Sequence, residues 1–356
     1  MLFSCAMQTV CLNAQESVSV VNEPQAAHSP APTPLEAAAE PFVLPLGLPS
    51  VPWPADNPYS SKKAALGKLL YFDKRLSSDG TVSCASCHVP EYAYTDGKAL
   101  SVGINGHLGT RNAPTVVNAA YQSHLFWDGR AASLEEQCLG PLANPKEMTD
   151  DRDVHLAHRN CHERILAIPG YRLLFFEAFG SETFSMKEVA QAMATFERTL
   201  LSGNAPFDRY RAGDHSSMSI LQIQGLAVFE RVGCANCHGG FNFTDGRFVN
   251  IGVGMDKEHP DLGRYEISKE ERDRGAFKIP TLREVAHTAP YMHDGSLKTL
   301  AEVVEYYNSG GTSNSHLSPL MQPLKLSDED KKALMCFMEA LSGEGWQHLQ
   351  PPEQLP

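Results

Sequence analysis

A chain of 356 residues is long enough for about two domains, each with its own core. A net charge of −12 with no run of Lys or Arg argues against nucleic acid as a partner and permits a basic redox partner instead. No stretch approaches the ~20 apolar residues that a membrane span requires.

The N-terminus is apolar, holds Cys5 and Cys11, and precedes the first basic residue, Lys62. It resembles a clipped or misannotated signal peptide. Residues from about 16 to 57 are rich in Pro, Ala, Glu and Ser, so 1–58 is expected to be an export and tether segment, largely disordered. Residues 61–72 carry apolar side chains at helical spacing behind a serine cap and lead, past a turn at Asp79-Gly80, into Cys84-Ala85-Ser86-Cys87-His88. The stretch 101–109 is a glycine-punctuated loop suited to crossing the face of a cofactor. After Pro114-Thr115 and Trp127-Asp128-Gly129-Arg130 comes a short helix through Gln137, then the segment 140–148. Ser185 to Glu188 form a capping box whose helix is expected to close at Gly203. The second half opens with a helix over 220–230 that runs into Cys234-Ala235-Asn236-Cys237-His238. A polar loop over 239–274 leads to Pro280-Thr281, and Thr299 and Ser327 cap the last two helices, the final one ending at Gly343. Strand signals are few.

Each C-x-x-C-H is the attachment signature of a c-type haem. Two thiols at this spacing form thioethers with the two vinyl groups of one haem, and the adjacent histidine, His88 or His238, lies under the iron as proximal ligand. A zinc site would need a second ligand pair nearby, and none follows either motif. Two covalent c-type haems therefore take Cys84, Cys87, Cys234 and Cys237, four of the nine cysteines. Such attachment occurs outside the bacterial cytoplasm, which implies a periplasmic protein. Cys138 and Cys161 are available for a disulfide there, whereas Cys336 reads as a buried core thiol.

The chain also repeats itself. Shifting the stretch after the first motif by 166 residues puts Pro114-Thr115 on Pro280-Thr281, Asp128-Gly129 on Asp294-Gly295 and Glu136 on Glu302. The same shift puts Trp127 on His293 and Pro141 on Tyr307. If both of the latter face their iron, the second haem has a phenol able to ligate and the first has a residue that is not.

The stretch from Leu66 to Asp73, both haem motifs, Arg111-Asn112-Ala113-Pro114-Thr115, Phe126 to Arg130, Ile168-Pro169-Gly170-Tyr171 and Ala289-Pro290-Tyr291-Met292-His293 together resemble the bacterial di-haem cytochrome c peroxidase family, including its MauG-type branch. The resemblance implies a mainly α fold of two cytochrome c-like domains: 59–205, which binds peroxide, and 206–345, which transfers or stores electrons, followed by a tail, 346–356. It implies Trp127 between the haems, Glu147 as distal acid with Gln137 and Pro141 beside it, and His293 near haem propionates. Calcium between the domains would be held by Asn112 and the carbonyls of Thr288 and Pro290. At the first iron, the family's peroxidase branch has a loop histidine where this chain has Ile104, with His107 three residues on. At the second, Tyr307 replaces that branch's methionine, as in MauG-type enzymes.

These residues imply a haem peroxidase in which hydrogen peroxide reacts at the His88 haem, Glu147 moves the proton, and the His238/Tyr307 haem stores an oxidising equivalent. Oxidation of a partner protein on Trp or Tyr is one outlet. Electrons from a small cytochrome or cupredoxin, with simple removal of peroxide, is another. A non-enzymatic di-haem carrier would need both irons six-coordinate. A homodimer is compatible with all three.

Overall fold

A computed structural model describes residues 43–347 and 349–356, so the expected signal segment with Cys5 and Cys11 lies outside the described residues. The described chain is mainly helical. In order come α1 (Ser61–Phe72), α2 (Cys84–Cys87), α3 (Leu134–Leu142), α4 (Val154–Leu166), α5 (Pro169–Phe179), α6 (Met186–Glu197) and α7 (Pro206–Arg211). There follow α8 (Ile220–Arg231), α9 (Tyr265–Ser268), α10 (Leu300–Ser309) and α11 (Asp328–Glu339). The strands β1 (Phe248–Val249) and β2 (Phe277–Lys278) pair antiparallel.

Two crossed helix pairs carry the architecture, and glycine lets each pair approach. A Cβ on Gly67 of α1 would stand 1.9 Å from the Ala192 carbonyl oxygen and 3.0 Å from Cβ of Phe196, both on α6. A Cβ on Gly225 of α8 would stand 1.9 Å from the Ala333 carbonyl oxygen and 2.7 Å from Cβ of Phe337, both on α11. Beside each crossing an aromatic pair makes the same contact: Tyr71 and Phe196 at 5.2 Å between ring centres, Phe229 and Phe337 at 5.1 Å. The sequence repeat is thus a repeat of packing.

The repeat extends to the connecting loops. Leu125 bridges Ala131 as Tyr291 bridges Leu297. Asn118 and Glu284, matched by the same shift, both adopt left-handed backbone with φ of 59° and 62°. Each uses its side chain to fix the chain leaving the second helix of its crossed pair, α6 or α11. Asn118 takes the Ser202 N–H and donates to the Ser202 carbonyl, both at 2.9 Å, while Glu284 accepts from the Gly343 N–H at 2.6 Å.

Several expectations need correction. The segment 43–58 is no free tether: Leu48 and Val51 are buried with Ala120 and Leu201, and the Asn57 amide donates to Glu135 and to the Gln191 carbonyl. Alternating prolines suit a chain laid in extended form along a surface. Helix α3 runs past Gln137 to Leu142 and contains Pro141, whose missing N–H is tolerated because the helix ends one residue later. Helix α6 stops at Glu197 rather than at Gly203, because Asn118 captures the backbone of Ser202. Helices α4 and α5 lie in a stretch with no assigned element, and the loop 239–274 includes β1 and α9. Cys138 and Cys161 are separate buried thiols, with the Cys138 thiol directed at the Ala190 carbonyl; Cys336 is buried as expected. The tail returns over the first half, where Leu349 accepts a hydrogen bond from the Tyr94 hydroxyl at 3.1 Å and Pro356 accepts one from Arg75 at 2.9 Å.

Candidate active site: two cavities with a common wall

Each C-x-x-C-H motif opens into a cavity. The Ser83 cap starts α2, which turns Cys84 and Cys87 to the first cavity with His88 behind them; Cys234, Cys237 and His238 line the second. Both histidines are oriented alike. Nδ1 of His88 lies 3.1 Å from the Tyr94 carbonyl oxygen, and Nδ1 of His238 lies 3.0 Å from that of Phe243. A carbonyl only accepts, so Nδ1 carries the hydrogen and Nε2 keeps the lone pair for a metal. Burial lowers both pKa values, which favours the neutral, ligating imidazole.

Gln137, Pro141 and Glu147 line the first cavity together, as expected of residues set by α3 and the turn after it. Burial pushes the Glu147 carboxyl above its ordinary value, opposed by the Arg130 charge and by the Asn144 amide, which donates to Oε1 at 2.6 Å. The loop 101–109 is pinned to this turn: the Ile104 N–H donates to the Glu147 carbonyl at 3.0 Å, and a Cβ on Gly103 would stand 2.0 Å from the Lys146 carbonyl oxygen. Ile104 is therefore held in the hydrophobic core, and His107 is exposed and does not line the cavity.

The two cavities share a wall made of Asn112, Pro114, Gln122, Trp127 and Lys278, among others. Trp127 is fixed through its indole N–H, which donates to the Asn112 carbonyl at 2.9 Å. Across the wall the halves exchange backbone bonds in matched fashion. The Asn112 N–H donates to the His293 carbonyl at 2.7 Å and the Lys278 N–H to the Trp127 carbonyl at 2.8 Å, where 278 and 293 are the repeat partners of 112 and 127. Tyr307, Thr288, Pro290 and His293 line the second cavity. Burial raises the Tyr307 phenol pKa and lowers that of His293 to about 4. The His293 ring stacks on Phe277 with centres 3.6 Å apart.

Three residues of the cavity walls were not singled out from sequence. Arg111 grips Asp261 through two bonds of 2.7 and 2.8 Å and Asp128 at 2.5 Å, and so ties the halves together. Lys278 is buried, which lowers its pKa to about 8, and its ammonium bonds Gln122. The repeat shift places it on Asn112, a signal present in the sequence. Glu197 faces the first cavity from the end of α6.

Matched thiol pairs, each with an oriented neutral histidine beside an apolar cavity, fit a haem in each half and define a di-haem protein. The comparisons agree. Residues 61–216 match the di-haem cytochrome c peroxidase family. The chain is 42% identical over 299 residues to the methylamine utilization protein MauG of Methylorubrum extorquens, spanning 83% of this chain and 82% of the relative. It is 39% identical over 341 residues to the cytochrome-c peroxidase IdrP1 of Denitromonas iodatirespirans, covering 86% and 88%. A solved MauG-like protein associated with microbial copper homeostasis superposes with a TM-score of 0.77 at 31% identity, covering 88% of this chain and 98% of the other. The chain belongs to the di-haem cytochrome c peroxidase family and is a haem-dependent oxidoreductase. No helix among the described residues is long and apolar enough to cross a membrane.

Proposed function

We propose that the chain is a periplasmic, MauG-like peroxide-dependent oxidase that modifies Trp or Tyr side chains of a partner protein. The division of labour follows the repeat, with peroxide taken up in the half 59–205 and an oxidising equivalent stored in the half 206–345. Bound through Cys84, Cys87 and His88, and through Cys234, Cys237 and His238, the haems supply the iron redox chemistry. The residues around them supply the rest. Glu147 would take a proton from hydrogen peroxide and hand it back to the departing oxygen, with Gln137 and Pro141 shaping the space beside it. Tyr307 would hold the second haem as a phenolate ligand, which would offset the rise that burial gives its pKa and favour the more oxidised states. Trp127, in contact with both cavities, carries electrons between them. Asn112 and the carbonyls of Thr288 and Pro290 offer the hard oxygen ligands that calcium takes, and His293 meets the propionates as a neutral donor.

The observation that carries this reading is the contrast between the two cavities: a half-buried carboxyl in the first with its loop histidine exposed, and a half-buried phenol in the second. The test is stopped-flow reaction of the oxidised protein with peroxide. Reaction without prior reduction is expected, and His107→Ala changes little; a resting protein with two low-spin haems that His107→Ala turns high-spin overturns the reading. Peroxidase relatives at comparable identity support a second reading, removal of peroxide with electrons from a small cytochrome or cupredoxin. Rapid steady-state turnover with reduced cytochrome c favours it over protein oxidation.

A further inference from the structure

The core of the first half carries polar side chains where that of the second carries apolar ones. The matched crossings at Gly67 and Gly225 pair Tyr71 with Phe229 and Glu197 with Met338. Glu197 lines the first cavity and Met338 lines the second. Packing alone is thus served by a methionine.

Glu197 is only 4% exposed, Tyr71 is fully buried, and neither Oε2 of Glu197 nor the Tyr71 hydroxyl has a hydrogen-bond partner in the described structure. An ionised carboxylate in such a place is costly unless paired. Arg198, the next residue, does not pair with it, because its guanidinium is engaged by Glu135 of α3 at 2.7 and 2.9 Å. The remaining titratable groups around it are the phenol of Tyr71 on α1 and the thiol of Cys138 on α3; Cys84 on α2 is also close, but haem attachment makes it a thioether with no proton to lose. The charge of Glu197 acts on Tyr71 and on Cys138, on each more than any other charge does. Burial pushes the Glu197 pKa up to about 8, with Arg198 opposing and Glu135 adding to the rise.

We infer that Glu197 is a proton store for the haem of the first cavity, holding a proton when that haem is reduced and releasing it to solvent when the haem loses an electron. One electron leaves for the oxidant, which is peroxide in turnover and an electrode in a titration; one proton leaves for water, and the net charge of the pocket is unchanged. Re-reduction brings both back. Tyr71 is a buried neighbour on which the Glu197 charge acts, while burial, opposed by Arg198 and reinforced by Glu135, sets the pH at which Glu197 responds. The inference rests on a haem in the first cavity and not on peroxide chemistry or on Tyr307.

The test is a redox titration of the di-haem protein at a series of pH values, with the two haems followed separately. Because the reduced state binds the extra proton, the first haem's potential falls as pH rises. One proton per electron is a tenfold change in proton activity per pH unit, or about 59 mV. A slope approaching this is expected in the wild type around the Glu197 pKa, with a flat response in Glu197→Gln and an unaltered second haem. An equal slope in Glu197→Gln overturns the inference. If that variant does not assemble, infrared difference spectroscopy of the wild type decides. A carboxylic acid band that appears on reduction supports the store, and absence of any redox-linked carboxyl band overturns it.

Discussion

At the scale of single residues, the first cavity places a desolvated carboxyl against the end of a loop that offers no side-chain ligand. Glu147→Gln keeps the size and the Asn144 contact but cannot carry a proton, so the peroxide step is expected to slow by ~10²-fold or more while peroxide still binds. Stopped-flow rates equal to wild type would remove Glu147 from the mechanism. The active form is the carboxylate, and burial raises its pKa, so the rate falls with decreasing pH at a value above that of an ordinary glutamate. Glu147→Gln lacks this limb of the pH profile. In the second cavity, Tyr307→Met is expected to keep both haems and raise the second potential, since a thioether favours ferrous iron more than a phenolate does. An unchanged low-spin spectrum in that variant would show that Tyr307 is no ligand.

At the scale of elements, the two helix crossings are independent supports. Gly67→Ala and Gly225→Ala each force a methyl group into a carbonyl oxygen of the facing helix, with an expected cost of ~1–3 kcal/mol from overpacking. Gly67→Ala should perturb the absorption of the first haem and Gly225→Ala that of the second, alongside a lower thermal midpoint; equal disturbance of both haems by either variant would contradict the independence. The capped helices were legible because a serine or threonine precedes a clear apolar stripe, as in α10 and α11. Helix α5 was not, since Pro169-Gly170 reads as a turn, although proline is preorganised for a first helical position. Helix α4 was hidden by a polar sequence with three histidines, two of which bond backbone carbonyls of other elements at 2.8 and 2.9 Å. Most of the candidate site was legible, because haem chemistry fixes local motifs and the repeat aligns them. Glu197 was not: its motif is one acid in a helix, and only the three-dimensional match to Met338 sets it apart.

At the scale of the whole molecule, what joins the halves is the wall between the cavities. Trp127→Phe retains an aromatic ring and loses the indole hydrogen bond to the Asn112 carbonyl. Peroxide is expected to react with the first haem at close to the wild-type rate, while oxidation of the second haem lags behind it. Simultaneous oxidation of both in that variant would show that electrons pass elsewhere. The reciprocal backbone bonds from Asn112 to His293 and from Lys278 to Trp127 have a consequence for descent as well as for chemistry. Main-chain groups are the same whatever the side chain, so the register of the two cavities is insulated from substitution of the side chains that line them. A lineage can exchange the side chains that line either cavity without rebuilding the frame that holds the two C-x-x-C-H motifs in register.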